Sequence, residues 1–230
     1  MEANELAALR AHYGRLLCLP RPWQVTEVEE HLAEGFLVLE VEWPDAEAVS
    51  CPECGAASVI HDRQYREWRH LNVMEYRALV RARVPRCDCP EHGVRLVRVP
   101  WAEPYSRNTL KFESHAIDVL LASRSWSDAM RLLQLSWSSL QRIVDAAVTG
   151  GMIRRSTEGI RLVGLDEKSF GRGQDYVALM TDLPGQRVLE VVPGRDTGSS
   201  RALWQTLPAE QRKQVEAAAM DMGESFIAGT

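Results

Sequence analysis

The chain lacks any apolar run approaching the roughly 20 residues that a membrane-spanning helix needs. Its first ten residues carry two glutamates and no long apolar stretch, so no secretory leader is read there. Five cysteines in a sequence without a leader exclude a disulfide framework. Excess positive charge is missing too: 27 Lys and Arg stand against 32 Asp and Glu, a net charge of −5, which excludes a globally basic nucleic-acid binder. What remains is a soluble, cytoplasmic protein with no membrane partner, and 230 residues suffice for more than one core.

The average charge hides a segregation. Residues 23–60 hold nine acids and no Lys or Arg, whereas residues 61–111 hold eleven Lys and Arg against six acids. Only Lys111 among those eleven is lysine. The planar arginine fork matches phosphate, although a solvated surface accounts for the same pattern. Within this stretch Glu75–Val84 alternates as a strand, with Tyr76, Ala78, Val80, Ala82 and Val84 on one face and Arg77, Arg81 and Arg83 on the other. That arginine face is a candidate surface for a DNA backbone.

On either side of the strand lie two cysteine knuckles. Cys51-Pro-Glu-Cys54-Gly55 sets two thiolates two residues apart before a glycine that permits a tight turn, and Cys89-Pro-Glu-His92-Gly93 repeats the gap and the glycine. Tetrahedral zinc takes four such ligands in a structural site, so Cys51, Cys54, Cys89 and His92 are assigned to it. Cys87 is the reserve ligand, its Cys-x-Cys pairing with Cys89 being a tighter bite.

N-terminal to the knuckles, the spacing of Leu6, Leu9, Tyr13, Leu16 and Leu17 predicts an amphipathic helix over 5–19, followed by strands over 25–32 and 36–43 with a turn at Gly35. C-terminal to them, residues 100–109 (PWAEPYSRNT) read as a linker. Helical stripes follow: 112–121, then 128–133 capped by Ser127, then 137–148 capped by Ser136 and ended by Gly150-Gly151. With Gln134-Leu135-Ser136 as the turn, the last two form a helix-turn-helix. Its second helix starts with Trp137, Ser138, Ser139, Gln141 and Arg142, which are candidate DNA contacts; Leu140, Ile143 and Val144 serve packing, and a hairpin that only packs gives the same pattern.

The apolar run 159–165 delivers Asp166 at the far end of a strand, and 215–220 delivers Asp221 likewise. A lone acid after an apolar run is usually a helix cap or a surface residue. Two at one sheet edge form what a divalent cation shared with phosphate requires. Between them 175–183 and 187–192 read as strands joined by Pro184-Gly185, and 199–207 as a helix before Pro208. The order of strand, strand, strand, helix, strand resembles the ribonuclease-H-like core of the DDE transposases. The fold class expected is therefore α+β and multidomain: an N-terminal helix and strands (1–48), a zinc-ribbon-like β module (49–100), a helix-turn-helix (110–152) and a partial ribonuclease-H-like α/β core (159–230).

The succession CPECG, RCDCPEHGV with VPWAEPYSR, the helix-turn-helix, GLDEKSFGRGQDYVALMTDL, VVPGRD and AAAMDM resembles the insertion-sequence transposases of the ISL-three group, from about Cys51 to Thr230. The resemblance implies a homo-oligomeric enzyme that binds the terminal inverted repeats of its element in double-stranded DNA. It cuts and joins them by metal-assisted attack of water or a 3′-hydroxyl on phosphodiesters. Asp166 and Asp221 match the first two acids of the catalytic triad and hold magnesium or manganese. Glu167 and Lys168 adjoin the first acid and orient DNA or ligands, while Arg195-Asp196, and likewise Arg172, either contact phosphate or form a turn salt bridge. The third acid, a glutamate on a helix well beyond the second aspartate, has no counterpart: Glu224 is too near, and Gly223 stands where the family has an aromatic residue. On this reading the polypeptide is a truncated copy or an N-terminal portion that does not transpose alone. A non-enzymatic, zinc-dependent DNA-binding regulator is the alternative, and a zinc-ribbon module for protein contacts a third.

Overall fold

From Ala78 to Val84 every second residue is apolar and small or β-branched, and in the computed structural model Ala78, Val80, Ala82 and Val84 are all fully buried. The structure describes residues 3–169, 175–221 and 224–229; Arg172 and Gly223 lie outside them. The chain divides into two units, residues 1–149 and 150–230. No described helix is long and apolar enough to cross a membrane.

The first unit begins with α1 (Ala3–Leu16), β1 (Gln24–His31), β2 (Phe36–Glu42), β3 (Val49–Ser50), β4 (Ala57–Arg69), β5 (Arg77–Cys89) and β6 (Gly93–Leu96). The strands form one sheet in the order β1-β2-β5-β4-β3, with β6 on the far half of β5. β2 runs parallel to β5 and the other pairs are antiparallel. Residues 1–48 and 49–100 thus share one sheet and one core, because Leu37, Leu39 and Val41 bury against the same cluster as Val80 and Trp68. Gly35, at φ +79°, makes the β1–β2 turn that its residue type favours.

The stretch read as a linker is packed instead. Trp101 and Ala102 are buried, and the Trp101 ring meets Trp23 and Trp68 edge to face at 4.8 and 5.5 Å. An indole gains more from such burial than a polar-rich neighbourhood can oppose. The backbone then runs beside β4: Arg69 N donates to Arg107 O at 2.8 Å and Thr109 N to Arg69 O at 2.9 Å.

Three helices complete this unit: α2 (Leu110–Ala122), α3 (Trp126–Leu133) and α4 (Trp137–Arg154). Thr109 caps α2, and Ser125, two residues earlier than the expected Ser127, caps α3 by accepting from Asp128 N. Gln134 takes the left-handed conformation at φ 54° between α3 and α4. Contrary to expectation, α4 passes through Gly150-Gly151 to Arg154. Each glycine costs a helix only about 1 kcal/mol, so a pair weakens the turn without stopping it.

The second unit holds β7 (Leu162–Ser169), β8 (Tyr176–Asp182), β9 (Arg187–Pro193), α5 (Thr197–Gln205), α6 (Ala209–Arg212), β10 (Ala217–Met220) and α7 (Glu224–Gly229). Its sheet order is β10-β7-β8-β9, with β10 parallel to β7 and the remaining pairs antiparallel. Val163, Leu165, Ala178, Met180 and Leu189 bury against Leu203 of α5 and Phe226 of α7. Gln211 Nε2, on α6, donates to Ile160 O at 2.8 Å and Glu216 N to Arg161 O at 2.8 Å, which fixes where β10 starts along β7.

At the junction of β4 and α2, buried His70 bonds Thr109 through Nδ1 at 2.8 Å, while Thr109 Oγ1 accepts from Phe112 N. The Thr109 hydroxyl can accept from the amide and donate to Nδ1 at once, an arrangement that suits a neutral ring. Burial, aided by Lys111 and Arg69, pushes the His70 pKa down to about 4. The unfolded chain therefore binds the extra proton first, and this stabilisation, complete above pH about 6.5, is lost as pH falls toward about 4. Urea denaturation of zinc-loaded protein should show about 2 kcal/mol less stability at pH 5 than at pH 7.5 from this group, and His70→Gln should remove that component; an unchanged pH slope in the variant contradicts it.

Candidate metal centre and nucleic-acid interface

Each knuckle is built by a backbone turn. Gly55 N donates to Cys51 O at 2.9 Å with Gly55 at φ +75°, and Gly93 holds φ +67° after the second knuckle. The β4–β5 hairpin carries the two turns to one another, and the ligand atoms of Cys51, Cys54, Cys89 and His92 all lie within 4.8 Å of each other. Cys54 Sγ is 3.7 Å from Cys89 Sγ, and His92 Nδ1 is 3.7 Å from Cys89 Sγ and 3.9 Å from Cys51 Sγ. A zinc tetrahedron with bonds of about 2.0 to 2.3 Å has edges of about 3.6 to 3.8 Å, so the four residues fit the ion. Amide groups of His92 and Glu91 and the His92 ring lower the Cys89 thiol to about 6, favouring the thiolate that metal requires. Cys87 is buried, outside the cluster, and burial pushes its thiol up. The geometry chooses the set with Cys89 over the reserve.

The arginine face differs from expectation at Arg81. Its guanidinium donates to Glu40 at 3.0 Å and to Glu67 at 3.1 Å, and Glu29 lies 3.7 Å away. Glu40 and Glu67 are its direct partners on the flanking strands β2 and β4, so cross-strand pairing occupies the fork that a phosphate would take. Arg77 and Arg83 remain exposed, Arg83 lying over the Tyr65 ring at 5.7 Å. Alternation along one strand could not show these acids, because Glu67, Glu40 and Glu29 lie 14, 41 and 52 positions away in the chain.

On α4, Trp137, Ser138, Gln141 and Arg142 are exposed and Ser139 is half-buried, its amide donating to Ser136 Oγ. Trp137 Nε1 donates to Gln141 Oε1 at 2.9 Å, and Arg142 Nε to Ser138 O at 3.0 Å. Leu140 and Ile143 bury with Phe112, Ala116, Ala129 and Leu133, and Val144 is half-buried. The polar side of the helix is thus presented outward on a fixed three-helix base.

In the second unit, β7 continues past Asp166 to Ser169, so this aspartate sits within the strand rather than at its end, and it is exposed. Ala217–Met220 pairs with Leu162–Leu165 in parallel, which brings Asp221, the next residue, alongside Asp166. Leu165 and Met220 turn toward the core, so the alternation along β7 sets Asp166 on the opposite face. Asp166 Oδ1 accepts from Glu167 N at 2.8 Å. Glu167 pairs with Arg195 at 3.8 Å, and Arg195 stacks over Tyr176 at 4.0 Å. Asp196 caps α5, its carboxyl held below the usual range by Ser199 N. Glu224 opens α7.

Three family models match in chain order: the zinc-finger of transposase IS204/IS1001/IS1096/IS1165 over residues 47–92, the helix-turn-helix domain of transposase family ISL3 over 97–148, and a transposase model of the same family over 163–230. The chain carries matches to the zinc-finger, helix-turn-helix and transposase regions of the ISL3 transposases. Curated relatives agree. A transposase for insertion sequence element IS1001 from Bordetella parapertussis is 27% identical over 208 residues, covering 84% of this chain and 51% of that protein. A transposase for insertion sequence element IS1557 from Mycobacterium tuberculosis (strain CDC 1551 / Oshkosh) is 28% identical over 178 residues, covering 76% of this chain and 40% of that one. The chain thus spans about half the length of the first relative and less of the second. No solved structure matches it.

The ISL3 zinc-finger match contains all four ligands, and the helix-turn-helix match starts at residue 97, ahead of the packed Trp101. Zinc bound by this set joins segments that the unfolded chain leaves apart, so its binding energy adds to folding. Purified protein should carry one zinc per chain; Cys54→Ser and Cys89→Ser should lose it and lower the melting temperature, while Cys87→Ser should keep it, as read by metal analysis and thermal unfolding. Loss of zinc from the Cys87 variant would reassign the ligands.

Proposed function

We propose that this chain acts in DNA transposition: α4 contacts the terminal inverted repeats of an insertion element, and Asp166 with Asp221 holds the divalent cation at which phosphodiesters are cut and joined. The observation that carries this reading is the parallel register of β10 on β7, one residue short of both aspartates. The sheet order, with the helix α5 between the third and fourth strands, supports a ribonuclease-H-like core. Two carboxylates side by side suit magnesium or manganese, hard ions that take oxygen ligands and are shared with phosphate. The bound ions would supply Lewis acidity to the phosphoryl oxygens and lower the pKa of attacking water.

The residues proposed for DNA are Trp137, Ser138, Ser139, Gln141 and Arg142 on α4, with Arg77 and Arg83 as phosphate contacts. Trp137 Nε1 holds Gln141 Oε1 in place, which leaves the Gln141 amide N–H groups for a base edge. Arg142, with its Nε engaged by the backbone, keeps its terminal nitrogens for phosphate. The proposed catalytic partnership is with a homo-oligomer, two copies serving the two ends of an element.

Manganese binding followed by electron paramagnetic resonance tests the metal site on the zinc-loaded chain. Asp166→Asn and Asp221→Asn should each weaken binding about tenfold or more, a loss of about 1.4 kcal/mol, because each removes a charged ligand. Equal binding in wild type and both variants sinks the catalytic reading and leaves the non-enzymatic DNA-binding regulator.

A further inference from the structure

A groove of about 520 Å³ lies in the first unit, between the turn of the first zinc knuckle, Trp68 on β4, and the segment 95–105. We propose that it seats an unpaired nucleotide of a DNA strand, the base against Tyr105 and the apolar floor, the phosphates on Arg66, Arg95 and Arg98. The inference rests on the reading above that this chain binds DNA, and adds to it a site for a base that has left the duplex.

Three observations carry it. Arg66, Arg95 and Arg98 line the groove and, among the described residues, none of them forms an ion pair, whereas Arg63, Arg81 and Arg86 in the same sheet are paired with Asp45, Glu40 and Asp62. Arg95 donates one terminal nitrogen to Val94 O at 3.1 Å and Arg66 lies over the Trp68 ring at 5.7 Å, but with no carboxylate on any of the three their remaining N–H groups are left for an anion brought from outside. Tyr105, at the mouth, is 91% exposed and has φ +65°, a left-handed conformation that bulky side chains rarely adopt. Neither its ring nor its backbone is in a favourable place for folding, which fits a side chain positioned for a ligand. The floor, formed by Trp68, Val97 and Ala102, is apolar.

The shape of the charge selects the occupant. Glu53 and Glu103 also line the groove, so its walls are not the uniform cationic track that a duplex backbone follows. An apolar floor, an exposed ring and a few arginines form instead the stacking platform used for single strands, where each stacked base contributes independently of its identity. Carboxylates beside such a floor accept hydrogen bonds from a ring imino N–H such as that of thymine, a donor that base pairing occupies in a duplex.

Fluorescence anisotropy with the zinc-loaded full chain separates the possibilities, using an oligothymidylate and a blunt duplex of equal length. Tyr105→Ala should weaken oligothymidylate binding about tenfold and leave duplex affinity within about twofold, with Tyr105→Phe restoring the wild-type value. Arg95→Ala with Arg98→Ala should weaken the same probe and flatten its salt dependence. If Tyr105→Ala binds oligothymidylate like wild type, or loses both probes equally, the site is refuted. Duplex binding that survives alongside such a result keeps the broader DNA reading. Wild-type protein that binds oligothymidylate through Tyr105 and ignores duplex keeps the groove and removes the helix-turn-helix reading.

Discussion

Everything in the first unit depends on the antiparallel pairing of β4 with β5. That ladder runs from Arg69 opposite Leu79 to Val59 opposite Asp88, and it delivers the knuckle before β4 to the knuckle after β5. Cys54 and Cys89 are 35 positions apart in the chain, and closing a loop of that length around a free ion would carry a loop-closure entropy of a few kcal/mol. The hairpin meets that cost through its own hydrogen bonds and through burial of Val80, Ala82 and Val84. Zinc then clamps ends that are already adjacent. β5 is also the one strand shared by β2, β4 and β6, so the same residues that close the metal site hold the N-terminal strands in the sheet.

How much of this was legible in the sequence depends on the range of the interaction. Alternation gave the buried face of β5, and the two-residue gaps with their glycines gave the four zinc ligands, because both are set by neighbours along the chain. The fate of Arg81 was not legible. Its partners Glu40 and Glu67 come from two other strands, and only the register across the sheet shows that one fork is filled by two carboxylates. Trp101 misled for the same reason: Pro, Glu, Ser and Asn around it are signs of a loop, but the hydrophobic surface of one indole against Trp23 and Trp68 outweighs local composition. Gly150-Gly151 misled in the opposite way, as a local weakness that the surrounding helix absorbs.

In the second unit the register matters more than the strands' existence. The sequence suggests two apolar runs each followed by an aspartate, yet a shift of one residue between β7 and β10 would turn one of those aspartates toward Leu203 and Phe226. Gln211 on α6 holding Ile160 O, and Glu216 just before β10 holding Arg161 O, set that register. The Arg161–Glu216 ion pair at 2.9 Å repeats the constraint with side chains, although both are largely exposed and such a pair contributes little by itself. The face bearing Asp166 also exposes Val188 and Val191 at 55% and 47%, while the other face is covered by α5 and α7. One covered and one open face explain why acids are tolerated where they stand: carboxylates there keep their water, and burial exacts nothing from them.

The net charge of −5 and a DNA-binding role are compatible once pairing is counted rather than composition. The acids of residues 23–60 do not simply dilute the arginines of residues 61–111; several of them neutralise particular ones, as Glu29 and Glu40 do Arg81 and Asp45 does Arg63. Cations so paired fix the sheet and contribute little attraction to a polyanion. The arginines left over, Arg66, Arg95 and Arg98 among them, then stand out against a background that repels DNA elsewhere. Selective neutralisation narrows where a phosphate can settle, so an acidic protein can bind DNA at fewer places, each more sharply defined, than a uniformly basic one.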